Sequence, residues 1–326
     1  MIMNQRHIAI IGAGAWGTAL ACATARIKAT RVTLWMRHPV APNVRQLPRL
    51  PGITLPENVT TTGEFPAEAD CVLLVVPVQT VRDVSTLLEK TLNPGIPVII
   101  CCKGLEQKTS LLPLSILAET MPNRPTAVLS GPNFAIEVAQ NLPAAATLAS
   151  ADFDLAKSLS HQLNTSFFRI YASADVIGVQ LAGAAKNVIA IGAGVTMGAN
   201  MGENARAALM TRALAELSRL AEANGGRAST LAGLSGMGDL ILTCTGAGSR
   251  NYSLGLELGQ GKSLQEILAS RTTVAEGVLT APALLQRAQE QHVRTPIIET
   301  VTRFLSEEIT LDEARTRLLE RPPTIE

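Results

Sequence analysis

The residue in this chain with most reason to do chemistry is Lys186. It stands in Gln180-Leu181-Ala182-Gly183-Ala184-Ala185-Lys186-Asn187-Val188-Ile189-Ala190, where every near neighbour is small or apolar. A lysine on such a face must be paired or lose its proton more easily than in water, as a general acid–base group working near neutral pH requires. The alternative is a lysine whose head reaches solvent. A second stretch, Gly233-Leu234-Ser235-Gly236-Met237-Gly238-Asp239, delivers a carboxylate to the start of the apolar run Leu240-Ile241-Leu242. Asp239 at that place is either an ordinary helix cap or the anion that holds Lys186. A third, Gly246-Ala247-Gly248-Ser249-Arg250-Asn251, sets an arginine and an amide beside a glycine turn. Backbone N–H groups and a guanidinium there would make a phosphate cradle; the alternative is a mobile loop. Lys103, after the apolar run Pro97–Cys102, is either a contact to a ligand's phosphate or a surface lysine.

Gly12-Ala13-Gly14-Ala15-Trp16-Gly17 supplies the partner for that chemistry. It follows Ile8-Ala9-Ile10-Ile11 and opens Thr18-Ala19-Leu20-Ala21, so strand, tight turn and helix are read in that order. Gly12 permits the turn, Gly14 lets backbone approach a pyrophosphate, and Gly17 lets helix pack on strand. The helix start then favours an anion. An NAD-preferring site carries Asp or Glu at the end of the next strand. Here Arg31-Val32-Thr33-Leu34-Trp35 runs into Met36, Arg37 and His38. An arginine binds a 2′-phosphate through two parallel bonds, so Arg37 predicts NADPH over NADH, unless it is a solvent-exposed loop arginine. When a nicotinamide hydride reaches a carbonyl carbon, the oxygen gains negative charge. A nearby ammonium stabilises that charge and then donates the proton.

The elements that must position these groups fall into two halves. Cys71–Val76, Pro97–Cys102 and Ala127–Ser130 are continuous apolar runs, as expected of parallel strands buried on both faces. Ala144–Ala149 and Phe167–Tyr171 read as two more, whereas proline-rich 39–56 reads as a long surface loop. Strand alternates with helix through 1–174, which predicts a doubly wound parallel sheet of Rossmann type. From Asp175, an expected N-cap, the spacing turns helical, and 175–326 is predicted to be an all-α domain. Asn204 is expected to cap a helix that ends at Gly225-Gly226, and Pro296 to begin another. Capping boxes are read at Ser263, at Thr273 and at Thr310.

Composition narrows the class. The 326 residues are 47% hydrophobic and only 3% aromatic, so the cores are built from Ala, Leu, Val and Ile. A net charge of +1 gives no case for a nucleic-acid groove or an acidic membrane surface. The five cysteines form no C-x-x-C pair and the four histidines are scattered, so reduced thiols, a cytoplasmic setting and no metal site are expected. No run approaches the roughly 18 consecutive apolar residues of a membrane span.

Taken in order, these stretches resemble the bacterial NAD(P)+-dependent glycerol-3-phosphate dehydrogenase family. The resemblance is carried by Gly12–Ala19, Leu50-Pro51-Gly52 with Leu55-Pro56-Glu57-Asn58, Lys103-Gly104-Leu105-Glu106 and Gly131-Pro132-Asn133-Phe134-Ala135. Ala185-Lys186-Asn187, Gly236-Met237-Gly238-Asp239-Leu240, Thr243-Cys244-Thr245, Ser249-Arg250-Asn251 and Glu276-Gly277 complete it, so that it covers almost the whole chain. It implies reversible NAD(P)H-dependent reduction of dihydroxyacetone phosphate to sn-glycerol 3-phosphate, a precursor of glycerophospholipids. It implies Lys186 as proton donor and acceptor, oriented by Asp239. Substrate contacts would come from Lys103, Gly131, Asn133, Lys186, Asn187, Asp239, Ser249, Arg250 and Asn251. Cofactor contacts would come from Gly12, Gly14, Ala15, Trp16, Gly17, Arg37, His38, Lys103, Ala135, Arg250, Val274 and Glu276. The family commonly has Ser or Thr where Ala15 and Asn133 stand; only backbone can serve at Ala15, while the Asn133 amide can still bond substrate. The Pro39–Leu50 loop is also shorter than the family's. A homodimer is left open. Two other readings keep to the same residues: a reductase of another small carbonyl acid or imine, and a non-enzymatic NADPH-binding redox sensor. The cations Lys103 and Arg250, with the Asn251 amide, favour a phosphorylated substrate.

Overall fold

The computed structural model describes residues 5–246, 248–271 and 275–319. They form two compact units, one of residues 5–103 and 111–180 and one of 104–110 and the described residues from 181 onward.

The first unit is built on β1 (Arg6–Ile11), α1 (Ala15–Ala25), β2 (Thr30–Trp35), β3 (Val59–Thr62), β4 (Cys71–Leu74), α2 (Val81–Glu89) and β5 (Val98–Ile100). It continues through α3 (Pro113–Thr120), β6 (Thr126–Ser130), α4 (Ala135–Ala139), β7 (Ala144–Ala149), α5 (Phe153–Leu163) and β8 (Phe168–Ser173). The eight strands form one sheet in the order β3-β2-β1-β4-β5-β6-β7-β8. Alternate residues enter opposite cores: Ile8, Ile10, Leu73 and Ile99 lie on one face, and Ala9, Ile11, Val72, Leu74, Val98 and Ile100 on the other. That two-sided burial is why these strands are continuous apolar runs rather than alternating ones.

Three features differ from the expectation. The pairing of β6 with β7 is antiparallel, so β7 and β8 run against the other six strands. The link from Ser130 to Ala144 holds only the five-residue α4, about 7.5 Å of helix. Second, β3 pairs with β2 from Val32↔Val59 to Trp35↔Thr62 although its Val-Thr-Thr-Thr sequence carries no apolar run; as the sheet's edge it needs only Val59 buried. Third, 39–56 is not a surface loop throughout: Leu47, Leu50, Ile53 and Leu55 are buried in the core. The Arg45 guanidinium ties the loop by donating to the Leu55 and Val59 carbonyls, each at 3.0 Å. Prolines between the apolar residues destroy the periodicity that would have revealed them.

The second unit takes most of α6 (Val176–Gly198), then α7 (Glu203–Ala223), α8 (Ala228–Leu231), α9 (Asp239–Thr245) and α10 (Arg250–Gly259). It is completed by α11 (Leu264–Ala269), α12 (Glu276–Glu290), α13 (Pro296–Leu305) and α14 (Leu311–Leu319). The Asp175 carboxylate caps α6, accepting from the Gly178 N–H at 2.8 Å. Asn204 does not cap α7, which begins one residue earlier behind Gly202, whose φ of +88° suits glycine. Gly225, at φ +84°, stops α7 as expected. The boxes at Ser263 and Thr310 are formed, while that at Thr273 lies outside the described residues. α6 is long and apolar enough to cross a membrane, but its most apolar stretch is 83% buried inside the protein.

α6 and α10 cross with their backbones in contact. A Cβ at Gly194 or Gly198 would lie 2.2 or 2.1 Å from the carbonyl oxygens of Tyr252 and Leu256. One at Gly255 or Gly259 would lie 2.1 or 2.4 Å from those of Ile191 and Val195. Only glycine fits at a crossing this close.

Candidate active site

In the first unit the parallel strands bring their carboxyl ends to one edge of the sheet, where ligands of such folds sit. The glycine turn follows β1, and the neighbouring strand β4 lies on the other side of the strand-order reversal. The three glycines differ in what surrounds them. Gly12 has φ +119°, and a Cβ there would lie 2.7 Å from the Val75 carbonyl oxygen. At Gly17 it would lie 1.8 Å from the Gly12 carbonyl oxygen, so α1 packs directly on the turn. Gly14 has open space: nothing lies within 4 Å of its would-be Cβ. The cradle fits a pyrophosphate, since the position whose backbone must approach a ligand is the one the protein does not fill. Ala15 and Trp16 form the first turn of α1, and Trp16 packs edge-on against Phe168 at 6.4 Å.

The Gly12 N–H donates to the Trp35 carbonyl at 3.1 Å, which ties the end of β2 to the turn. Arg37 and His38, just beyond, are both exposed. After β5, Lys103 Nζ donates to the Gly131 carbonyl at 3.1 Å, joining two of the expected contacts. Gly131 is required there, because a Cβ would lie 2.8 Å from Ala145 O and Ala146 Cα. Asn133 Oδ1 is buried with no hydrogen-bond partner among the described residues, an acceptor that a ligand's donor would satisfy. Ala135 is the first residue of α4.

In the second unit Lys186 is paired. Its Nζ lies 2.6 Å from Asp239 Oδ1, and the two side chains are 12% and 0% exposed. Lys186 also donates to Thr243 Oγ1 at 3.0 Å, and that hydroxyl donates to the Asp239 carbonyl at 2.6 Å. Since its proton is committed to the backbone, the hydroxyl offers Lys186 a lone pair. A turn of π-helix, Leu234–Gly238, leads into α9 and delivers Asp239 as its first residue. Gly236 makes that turn possible, because a Cβ there would meet the Leu231 carbonyl oxygen at 2.1 Å. Thr243, which the structure adds to the Lys186–Asp239 pair, was not among the site residues read from the sequence. Its signal was the four-residue spacing from Asp239, which puts both on one face of α9. Cys244, next to the pair, has its thiol pushed up to about 12 by burial, so it is no nucleophile.

Ser249 caps α10, its Oγ accepting from the Tyr252 N–H at 3.2 Å. Arg250 is exposed on the first turn, and Asn251 is buried. Asn251 Nδ2 donates to Asn187 Oδ1 at 2.9 Å, and its Oδ1 accepts from the Gly277 N–H at 3.0 Å. Glu276 opens α12. Val274 lies outside the described residues.

Residues 7–156 match the family model described as NAD-dependent glycerol-3-phosphate dehydrogenase N-terminus, and 175–316 match the corresponding C-terminus. A glycerol-3-phosphate dehydrogenase [NAD(P)+] from Gluconobacter oxydans is 73% identical, covering 99% of each chain. The chain belongs to the glycerol-3-phosphate dehydrogenase family. A second member, from Parvibaculum lavamentivorans, is 46% identical over 99% of this chain and 98% of its own. The crystal structure of glycerol-3-phosphate dehydrogenase from Coxiella burnetii superposes with a TM-score of 0.89 at 38% identity, covering 97% of this chain and 99% of that one. Within the family, the Lys186–Asp239–Thr243 constellation and the open glycine turn are the two features to which chemistry can be assigned.

Proposed function

We propose that this chain catalyses the reversible NAD(P)H-dependent reduction of dihydroxyacetone phosphate to sn-glycerol 3-phosphate. The observation that carries the reading is the Lys186 ammonium, held 2.6 Å from a carboxylate that is itself fully buried. A charge pair sequestered in this way is costly to keep for stability alone, and it presents a proton donor of fixed position. Bound nicotinamide supplies the hydride. Lys186 then stabilises the charge developing on the carbonyl oxygen and gives it a proton; in the reverse direction it takes that proton back. Asp239 and Thr243 fix the direction in which Nζ points. Arg250 and the N–H groups at the start of α10 bind the phosphate; the exposed guanidinium beside a capped helix start supports this. Lys103 and Asn133 contribute further polar contacts, the latter through its unsatisfied oxygen.

NADPH is the preferred nucleotide in this reading. Two exposed basic residues, and no carboxylate, follow β2, and a carboxylate there would repel a 2′-phosphate whereas Arg37 pairs with it. All five cysteines are free thiols, which suits a reducing, cytoplasmic setting. The deciding assay is oxidation of NADPH with dihydroxyacetone phosphate as sole acceptor. Turnover is expected; its absence would refute the assignment. A higher kcat/KM with NADH than with NADPH would remove Arg37 from its role and leave the rest standing.

A further inference from the structure

Arg271 spends its guanidinium on the first turn of α10, the turn that carries Arg250. Its Nη1 donates to the Arg250 carbonyl oxygen at 3.0 Å, and its Nη2 donates to Ser253 Oγ at 3.3 Å. The Ser253 hydroxyl donates in turn to that same carbonyl at 3.1 Å, so its lone pair is left for Nη2 and the three bonds close a ring. Glu257 Oε1, 2.5 Å from Nη2, orients the fork, while Lys262 donates to the other carboxylate oxygen at 2.9 Å. Arg250, Ser253 and Glu257 share one face of α10. It is turned away from Gly255 and Gly259, which meet α6. Helix stability does not call for this clamp. The orphan groups at a helix start are N–H donors, not carbonyls, and a cation there opposes the helix dipole. The contrast with the clamped residue's own side chain is sharp. The Arg250 guanidinium is exposed and has no ion-pair or hydrogen-bond partner among the described residues. One arginine therefore fixes the main chain of another whose head is free to meet an anion.

We propose that Arg271 is a positioning residue for phosphate binding: by fixing the main chain at Arg250 it sets where that guanidinium starts from and how the N–H groups of the turn are aimed. The inference rests on the reading that the phosphate of a phosphorylated ketone is bound at the start of α10. Asn251, the next residue, is held separately, by the Gly277 N–H at 3.0 Å. Arg271 thus acts on the phosphate and not on the carbonyl, which that reading gives to Lys186.

The test compares Arg271→Lys and Arg271→Gln with the unaltered enzyme, read as kcat and KM for dihydroxyacetone phosphate at saturating NADPH. Lysine keeps the charge and the pair with Glu257, but one ammonium cannot grip carbonyl and hydroxyl together as a planar fork does. In both variants KM is expected to rise at least tenfold, with kcat within threefold and NADPH affinity within twofold. Inhibition by inorganic phosphate should weaken by the same factor as KM rises. Unphosphorylated dihydroxyacetone offers the turn nothing to hold, so its kcat/KM should stay within twofold. An unchanged KM in both variants would overturn the proposal. So would an unchanged KM in Arg271→Lys alone, because charge and not the fork would then be what matters. An equal loss with dihydroxyacetone would overturn it as well, by showing a general disturbance rather than a phosphate effect. Should the variants fold poorly, the unaltered enzyme labelled with 15N-arginine decides. Before phosphate is added, the Arg271 guanidinium should rotate slowly and that of Arg250 freely, and a freely rotating Arg271 would sink the inference. Failure of the underlying reading would show separately, as no turnover of dihydroxyacetone phosphate and no inhibition by phosphate in the unaltered chain.

Discussion

Gly255→Ala tests whether the backbone crossing of α6 and α10 sets the geometry of the substrate-binding turn. The added methyl would lie 2.1 Å from the Ile191 carbonyl oxygen, where ordinary contact begins at 3.4 Å. Helix backbone cannot yield as a side chain does, so α10 must move by about 1 Å at that point. Its first turn, one helical turn away, carries Arg250 and Asn251. Overpacking of this kind costs about 1–3 kcal/mol, and alanine's higher helix propensity returns about 1 kcal/mol. The net loss of stability is therefore about 0–2 kcal/mol, a fall in Tm of at most about 8 °C. Activity should suffer far more, because a displacement of about 1 Å in substrate-holding groups costs about 100-fold. Steady-state kinetics, NADPH titration and thermal melts together check this. We expect kcat/KM for dihydroxyacetone phosphate to fall about 100-fold with NADPH affinity preserved. Gly192→Ala, on α6 but facing the Val301 side chain at 3.0 Å, should change kcat/KM by less than threefold. A Gly255→Ala enzyme within threefold of the unaltered one, or an equal loss in Gly192→Ala, would refute the reasoning.

Other expectations follow from the same geometry. Lys186→Met should abolish turnover while leaving NADPH binding intact by fluorescence titration; near-normal turnover would exclude it from the chemistry. Asp239→Ala leaves a nearly buried ammonium unpaired, and denaturant unfolding should show a loss of about 3–5 kcal/mol, against little change if Lys186 simply swings into solvent. The glycine turn should separate fold from function. Gly14→Ala should melt like the unaltered protein yet bind NADPH at least tenfold more weakly, whereas Gly17→Ala should lower Tm outright. His7 is held below its ordinary 6.5 by burial and by Arg31. The unfolded chain therefore binds a proton first, stability falls as pH drops through about 6.5 toward the lowered folded value, and His7→Gln should flatten that part of the pH–stability curve.

Much of this was legible in the sequence because the signals are local. Alternation of apolar runs with helical spacing gave the layers, since a strand buried on both faces has no polar residue to spare. The glycine turn was readable because a positive φ at Gly12, an open face at Gly14 and a close contact at Gly17 each exclude other side chains. Lys186 stood out because its neighbours offer it nothing. What remained hidden depended on contacts distant in sequence. The reversal at β7 shows only in its pairing with β6 and β8, and β3 is set by a neighbour able to accept an edge strand. The leucines of 39–56 were buried only because a core stood ready to take them.

Sequence alone therefore determined which groups carry charge and which turns need glycine, because these follow from the chemistry of a few adjacent residues. Tertiary structure decided which groups meet. Asp239 reaches Lys186 across 53 positions, and Asn251 reaches Asn187 across 64. Those partnerships are fixed by the close crossing of α6 with α10 and by the wide turn ahead of α9. Whether Asp239 caps its helix or holds an ammonium is a choice between two short-range bonds of similar strength. Only the arrival of another helix with an unpaired lysine resolves it.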